Sequence, residues 1–152
     1  MPLPKTTTMA FVELLELYRN TEVAYPALKE VSAAQWALEC GWGTSALALN
    51  HMNYAGMKWR SNMHPYAAMV RHKAWDGFDL YCSFPTQQHF IAGYWARFDL
   101  VSAYEGWEDA AEQGPVEFIN KIGPIWYGYK PADQQQYVNK VLMIVENLRG
   151  TV

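Results

Sequence analysis

The stretch Gln35-Trp36-Ala37-Leu38-Glu39-Cys40-Gly41-Trp42-Gly43-Thr44-Ser45, running on through Leu47 to Asn53, Gly56, Met57 and Lys58, decides how the rest of the chain is read. Its first half is apolar apart from Gln35 and Glu39, and it halts at a glycine. A helix that stops at Gly41 leaves a carboxyl on its last turn, facing whatever follows the helix end. Trp42 follows at once. A carboxyl beside an indole loses solvation, which penalises its charged form and raises its pKa. A Glu still protonated near neutral pH can serve as a general acid, so Glu39 is the leading candidate for chemistry.

Upstream, Thr6 to Thr8 offer N-caps to a helix whose Phe11, Leu14, Leu15 and Tyr18 share one face. Pro26 is a good first-turn residue for the helix that carries Glu39, with Val31, Ala34, Trp36 and Leu38 along it. Downstream, Thr44 or Ser45 can cap a short helix ending before Asn53. Between Gly56 and Ser83 the pattern changes to short runs bounded by Asn62, Pro65 and Asp76-Gly77: Met57–Trp59, Ala68–Val70 and Phe78–Tyr81. These predict two or three short strands, a small β lobe over about residues 56–83. Helical spacing returns after Pro85, with Phe90, Ile91, Tyr94 and Phe98 on one face. Further helices are expected over Trp107–Gln113 and Pro115–Ile122, then a loop from Gly123 to Pro131. A last helix from about Asp133 would bury Tyr137, Val141, Ile144, Val145 and Leu148. The class expected is α+β, mostly helical with a small mid-chain β lobe, in a single domain over residues 1–152.

Composition narrows the function. The chain has 152 residues, half of them hydrophobic and 18% charged, so a packed core is expected and disorder is not. Its net charge of −3 gives little to a binder that relies on phosphate contacts, so no nucleic-acid partner is expected. Seven Trp, ten Tyr and six Phe exceed what a core of this size needs, and flat apolar walls suit sugar faces. Four scattered His without metal-ligand spacing imply no metal or other cofactor. Cys40 and Cys82 permit one intramolecular disulfide, and two free thiols are the simpler reading. No apolar run reaches the roughly 18 residues of a membrane span, so no membrane insertion is expected. The N-terminal stretch is interrupted by Glu13 and Glu16 and does not read as a Sec signal peptide.

The quoted stretch resembles the signature of the glucosaminidase domain of glycoside hydrolase family 73, Gln-x-x-Leu-Glu-Ser-Gly-Trp-Gly-x-Ser followed by Asn-x-x-Gly-x-Lys. Phe78-Asp79-Leu80-Tyr81-Cys82-Ser83 is similar to that family's Phe-Arg-x-Tyr-x-Ser strand. The resemblance implies a lysozyme-like fold and hydrolysis of the β-1,4 bond after N-acetylglucosamine in peptidoglycan, with Glu39 as the acid. It also implies a second Glu shortly before the Phe-Arg-x-Tyr strand, but this chain has Met69-Val70-Arg71-His72-Lys73 there. Asp76 and Asp79 are the β-lobe carboxylates. Asp76 could orient water for inversion, or the substrate's own acetamido oxygen could assist; on turn chemistry alone Asp76 is simply a turn residue.

The family's loop tyrosine falls best on Tyr129, with Tyr127 as substitute, hydrogen bonding to the acetamido group or to water. Trp42, Trp59, Trp75 and Trp126, with Tyr127, are candidate sugar contacts, although core burial suits most single Trp residues. Asn53 and Lys58 are expected to tie down the loop into the β lobe. The partner implied is the peptidoglycan glycan strand, met in the periplasm or cell wall after phage lysis or dedicated secretion, or in an excised domain. A delivered effector would bring a cognate immunity protein. The rival readings are a lytic transglycosylase on the same polymer and a glycan-binding module without activity.

Overall fold

The computed structural model describes residues 2–75 and 77–152. Helix α1 spans Met9–Arg19, capped by Thr8, whose hydroxyl accepts from the Phe11 N–H at 3.2 Å. Phe11, Leu14, Leu15 and Tyr18 are buried, the face expected from their spacing. After a 3₁₀ turn at Pro26–Leu28 comes α2, Lys29–Cys40. It buries Val31, Ala33, Ala34, Trp36 and Ala37 as well as the polar Ser32 and Gln35. A helix covered on most of its circumference is a central helix, and its buried polar atoms must find partners. Ser32 meets the Tyr18 hydroxyl at 2.7 Å.

Helix α3 spans Ala46–His51, with Ser45 accepting from the Ala48 N–H at 3.1 Å. Strands β1 (Ala68–Ala74) and β2 (Gly77–Ser83) pair antiparallel, with Arg71 opposite Leu80 and Lys73 opposite Phe78. The third run of the expected β lobe adds a bridge from Lys58 to Tyr81. The Trp59 N–H donates to the Leu80 carbonyl at 2.9 Å, and the Cys82 N–H to that of Met57 at 3.0 Å. Asn53 fixes this join. Its Nδ2 donates to the Met57 and Cys82 carbonyls at 3.0 and 2.9 Å, and its Oδ1 accepts from the Met57 N–H at 2.9 Å.

Four helices follow: α4 (Gln87–Leu100), α5 (Trp107–Gln113), α6 (Pro115–Tyr127) and α7 (Pro131–Leu148). α7 packs on α2 and α6, and α5 packs on α6. Trp36 sits amid Tyr18, Phe90 and Tyr94, with ring centroids 4.6, 4.9 and 5.2 Å away. Each such buried aromatic contributes on the order of 2–3 kcal/mol. The chain is mostly helical with one small antiparallel hairpin, the expected α+β class.

Two expectations are corrected. The loop expected from Gly123 to Pro131 begins only after Tyr127, because α6 continues through Gly123 and Pro124. Gly123 serves packing here: an added Cβ would lie 3.0 Å from Val138 Cγ2 on α7. Pro124 removes one backbone bond, but α6 is held by burial of Phe118, Ile119 and Ile122 and stops at Gly128, φ 70°. The last helix accordingly starts at Pro131, ahead of Asp133. Cys40 and Cys82 are buried free thiols. Among the described residues, no helix is long and apolar enough to cross a membrane.

Candidate active site

α2 ends in a sharp left-handed turn. Gly41, Trp42 and Gly43 all have positive φ, at 57°, 58° and 96°. The turn satisfies carbonyls that a helix end leaves open. The Trp42 N–H donates to the Ala37 carbonyl at 2.9 Å, and the Ser45 N–H to that of Cys40 at 3.0 Å. The Thr8 N–H donates to the Trp42 carbonyl at 3.1 Å, tying the turn to the start of α1. At Gly43 an added Cβ would run into the Thr8 side chain and lie 2.8 Å from Phe11 Cβ, so only glycine fits. Trp42 holds a backbone that costs a non-glycine residue about 1 kcal/mol or more, and its ring packs edge-on to Phe11 at 6.0 Å.

Glu39 lies on the last turn of α2 and is half-buried. Its surroundings remove so much water that burial pushes the carboxyl from an ordinary 4.5 up to about 7. The nearby Trp126 indole restrains that rise. Its N–H donates to the Ala55 carbonyl at 3.1 Å. The tyrosine phenols of Tyr94, Tyr104 and Tyr137 are also near enough to feel the Glu39 charge. Burial raises all three above the ordinary tyrosine value, so they stay neutral and leave Glu39 without a charged neighbour among them. Cys40 is pushed up to about 12 by burial, which keeps it a thiol and argues against a nucleophilic role.

Gln35 lies one turn before Glu39 on the same face of α2 and organises the floor of the site. Its Nε2 donates to the Tyr137 hydroxyl at 3.1 Å, and its Oε1 accepts from the Tyr94 hydroxyl at 2.6 Å. From Tyr137 an aromatic series leads outward. Tyr127 lies 5.3 Å from Tyr137, Tyr129 lies 5.6 Å from Tyr127, and Trp75 lies 5.6 Å from Tyr129. The tip of the β hairpin thus meets the loop between α6 and α7. Trp75 is 86% exposed and Tyr129 43% exposed, so both present ring surface to solvent.

The chain matches the family model Glucosaminidase, described as mannosyl-glycoprotein endo-beta-N-acetylglucosaminidase, over residues 15–150. It belongs to the glucosaminidase family. Two solved structures share its fold. One is a type VI secretion system effector–immunity complex from Pseudomonas protegens: 17% identity, 95% of this chain and 94% of that one covered, TM-score 0.59. The other is the catalytic domain of the autolysin Auto from Listeria monocytogenes: 20% identity, 98% and 89% covered, TM-score 0.56. No curated protein matches in sequence. The fold is that of lysozyme-like glucosaminidase domains.

In this glucosaminidase-family chain the structure gathers Trp75, Tyr129 and Tyr127 into one series and sets Trp126 against Glu39. Trp126 is half-buried, with its N–H turned inward to the Ala55 carbonyl. Trp59 is half-buried at the base of the hairpin and, among the described residues, shares no ring contact with the series. Asp79 is engaged by Lys58 at 3.0 Å and by its own Leu80 N–H at 2.8 Å, which hold its carboxyl below the usual range. Asp76, the other β-lobe carboxylate, lies outside the described residues.

The sequence singled out neither Gln35 nor Tyr94 for the site. The turn-apart placement of Gln35 and Glu39 was the available signal. A cavity of about 550 Å³ lies elsewhere, between the end of α4 and α5, lined by Asp99, Glu105, Trp107, Glu108 and Glu112. It contains none of the candidate residues, and its carboxylates are exposed. Among the described residues no group of His, Cys, Asp and Glu is arranged to hold a metal ion.

Proposed function

We propose that this chain is a peptidoglycan hydrolase cleaving the β-1,4 bond after N-acetylglucosamine, with Glu39 as general acid. The observation that carries the reading is a half-buried carboxyl raised to about 7 on the last turn of the family's motif helix. A glycosidic oxygen is a poor base, and a proton donor held at the site lowers the barrier as oxocarbenium character develops. Gln35 with Tyr94 and Tyr137 fixes the helix turn beneath the carboxyl. Trp75, Tyr127 and Tyr129 would contact the sugars, with the Tyr129 hydroxyl turned to the acetamido group or to water.

With Asp79 committed to Lys58, the second half of the reaction falls to Asp76 as base or to the substrate's acetamido oxygen. The fold shared with an effector–immunity complex supports delivery to the periplasm or cell wall, with an immunity protein as partner. Glu39→Gln should fold and lose lysis of purified cell walls by about three orders of magnitude. Unchanged lysis in that variant sinks the reading. Absence of products from the wild type, with tight glycan binding retained, would mark a binding module. Mass spectrometry of the fragments settles the bond: reducing N-acetylglucosamine ends support hydrolysis there, whereas 1,6-anhydromuramic ends identify a transglycosylase.

A further inference from the structure

One face of the β hairpin is exposed over most of its length. The register sets Arg71 opposite Leu80 and Lys73 opposite Phe78, and strand alternation adds Met69 to the same face. All five residues are exposed. The Arg71 guanidinium carbon lies 4.2 Å from the centre of the Phe78 ring, and Lys73 Nζ lies 5.9 Å from it. Among the described residues neither cation is in an ion pair. Asp79 belongs to the other face, where Lys58 engages it.

Stability does not account for this arrangement. Like charges on neighbouring positions of one sheet face repel, and exposed apolar side chains add nothing to the core. A patch of exposed apolar side chains beside polar groups marks a binding surface. Residues 56–83 carry four Lys and Arg against two Asp, in a chain whose net charge is −3. The hairpin region is thus positive on a negative molecule, and an anionic ligand is steered to it.

We propose that this face binds the peptide stems of the cell-wall polymer, Arg71 and Lys73 pairing with stem carboxylates while Met69, Phe78 and Leu80 lie against the stem's small apolar side chains. The inference rests on the peptidoglycan reading and extends it from the sugars to the peptides they carry. A stem offers free carboxylates beside alanine methyl groups, the complement of cations set among apolar side chains. A guanidinium held over a ring is restrained for the planar, two-point grip that a carboxylate accepts. Position favours the same occupant. Stems branch from the glycan, and the Lys73–Phe78 pair lies beside the hairpin tip, where Trp75 ends the aromatic series.

The test is binding of soluble, stem-bearing glycan strands, compared with the same strands after their carboxylates have been converted to amides. It is made in the Glu39→Gln chain so that the strands stay intact. Unmodified strands should bind about tenfold more tightly than amidated ones at low salt, as two exposed ion pairs allow. The gap should close at about 1 M salt, where charges are screened within roughly 3 Å. Arg71→Gln with Lys73→Gln should also close it without lowering the melting temperature, and Arg71→Lys should retain most of it. If the double variant does not fold, Lys73→Gln alone should narrow the gap about threefold. Equal binding of the two strands before any change to the hairpin overturns the proposal, as does a gap that survives the double variant. Self-association that the double variant abolishes would assign the face to a second copy, and that too overturns it. Failure of the function reading looks different: neither strand binds, or Glu39→Gln still cleaves both.

Discussion

Glu39 binds its proton more tightly in the folded chain than it would unfolded, and stability must follow. Between the unfolded value of 4.5 and the folded value of about 7, the native state carries more proton than the unfolded one. The raised pKa therefore makes the fold lose stability as pH rises through that window, and the loss is complete above it. The shift corresponds to an upper bound of about 3 kcal/mol, reduced because the side chain is only half-buried. Glu39→Gln is expected to melt several degrees higher than the wild type at pH 8 and at much the same temperature at pH 4. Thermal melts at the two pH values check this; an equal gain at both would mean burial does not set the Glu39 proton. The same sign governs activity, which should fall as pH rises through about 7 because the acid form is the working one. At this scale the sequence shows Glu39 and its glycine-flanked turn, since both are local. It does not show that Trp126 lies nearby, because that residue comes from a distant helix and only tertiary packing brings it in.

At the scale of elements, the turn after α2 and the contact between α6 and α7 depend on missing side chains. Gly43 combines a φ of 96° with close approach to Thr8 and Phe11, so Gly43→Ala should cost roughly 2–4 kcal/mol in urea unfolding. Gly123 makes a different case. Its backbone is helical, and Ala there would gain about 1 kcal/mol of helix propensity if nothing opposed it. Val138 opposes it at 3.0 Å. Gly123→Ala should therefore destabilise, and the penalty should shrink in a Val138→Ala background; an additive double mutant would remove the packing explanation. The same glycine explains why the sequence misplaced the loop. Gly-Pro is a turn signal when read locally, and here it is overridden by the apolar face of α6 and its close seat on α7. The starts of α1 and α3 were legible because Thr8 and Ser45 act as caps that need no tertiary context.

At the scale of the molecule, the mid-chain hairpin tip and the α6–α7 loop are far apart in sequence and meet through Trp75 and Tyr129. With Trp75 86% exposed, this contact adds little to the core, so its purpose is better sought in what the two rings can hold. Surface substitutions of this kind usually change stability by no more than about 0.5 kcal/mol. A stacked ring is worth on the order of 1 kcal/mol, close to a fivefold change in a binding constant. Trp75→Ala is therefore expected to leave the melting temperature nearly unchanged while raising KM for cell-wall polymer about fivefold. kcat should change much less, because Glu39 and Trp126 are untouched. If Trp75 serves only to hold the loop, the outcome differs: Tyr129 would lose its place, kcat would fall with KM steady, and Tyr129→Ala would reproduce the defect. Kinetics of the two variants on sonicated cell walls, compared with a short soluble oligosaccharide too small to reach the hairpin tip, separate the cases. A KM effect confined to the polymer assigns Trp75 to the outer reach of the glycan path.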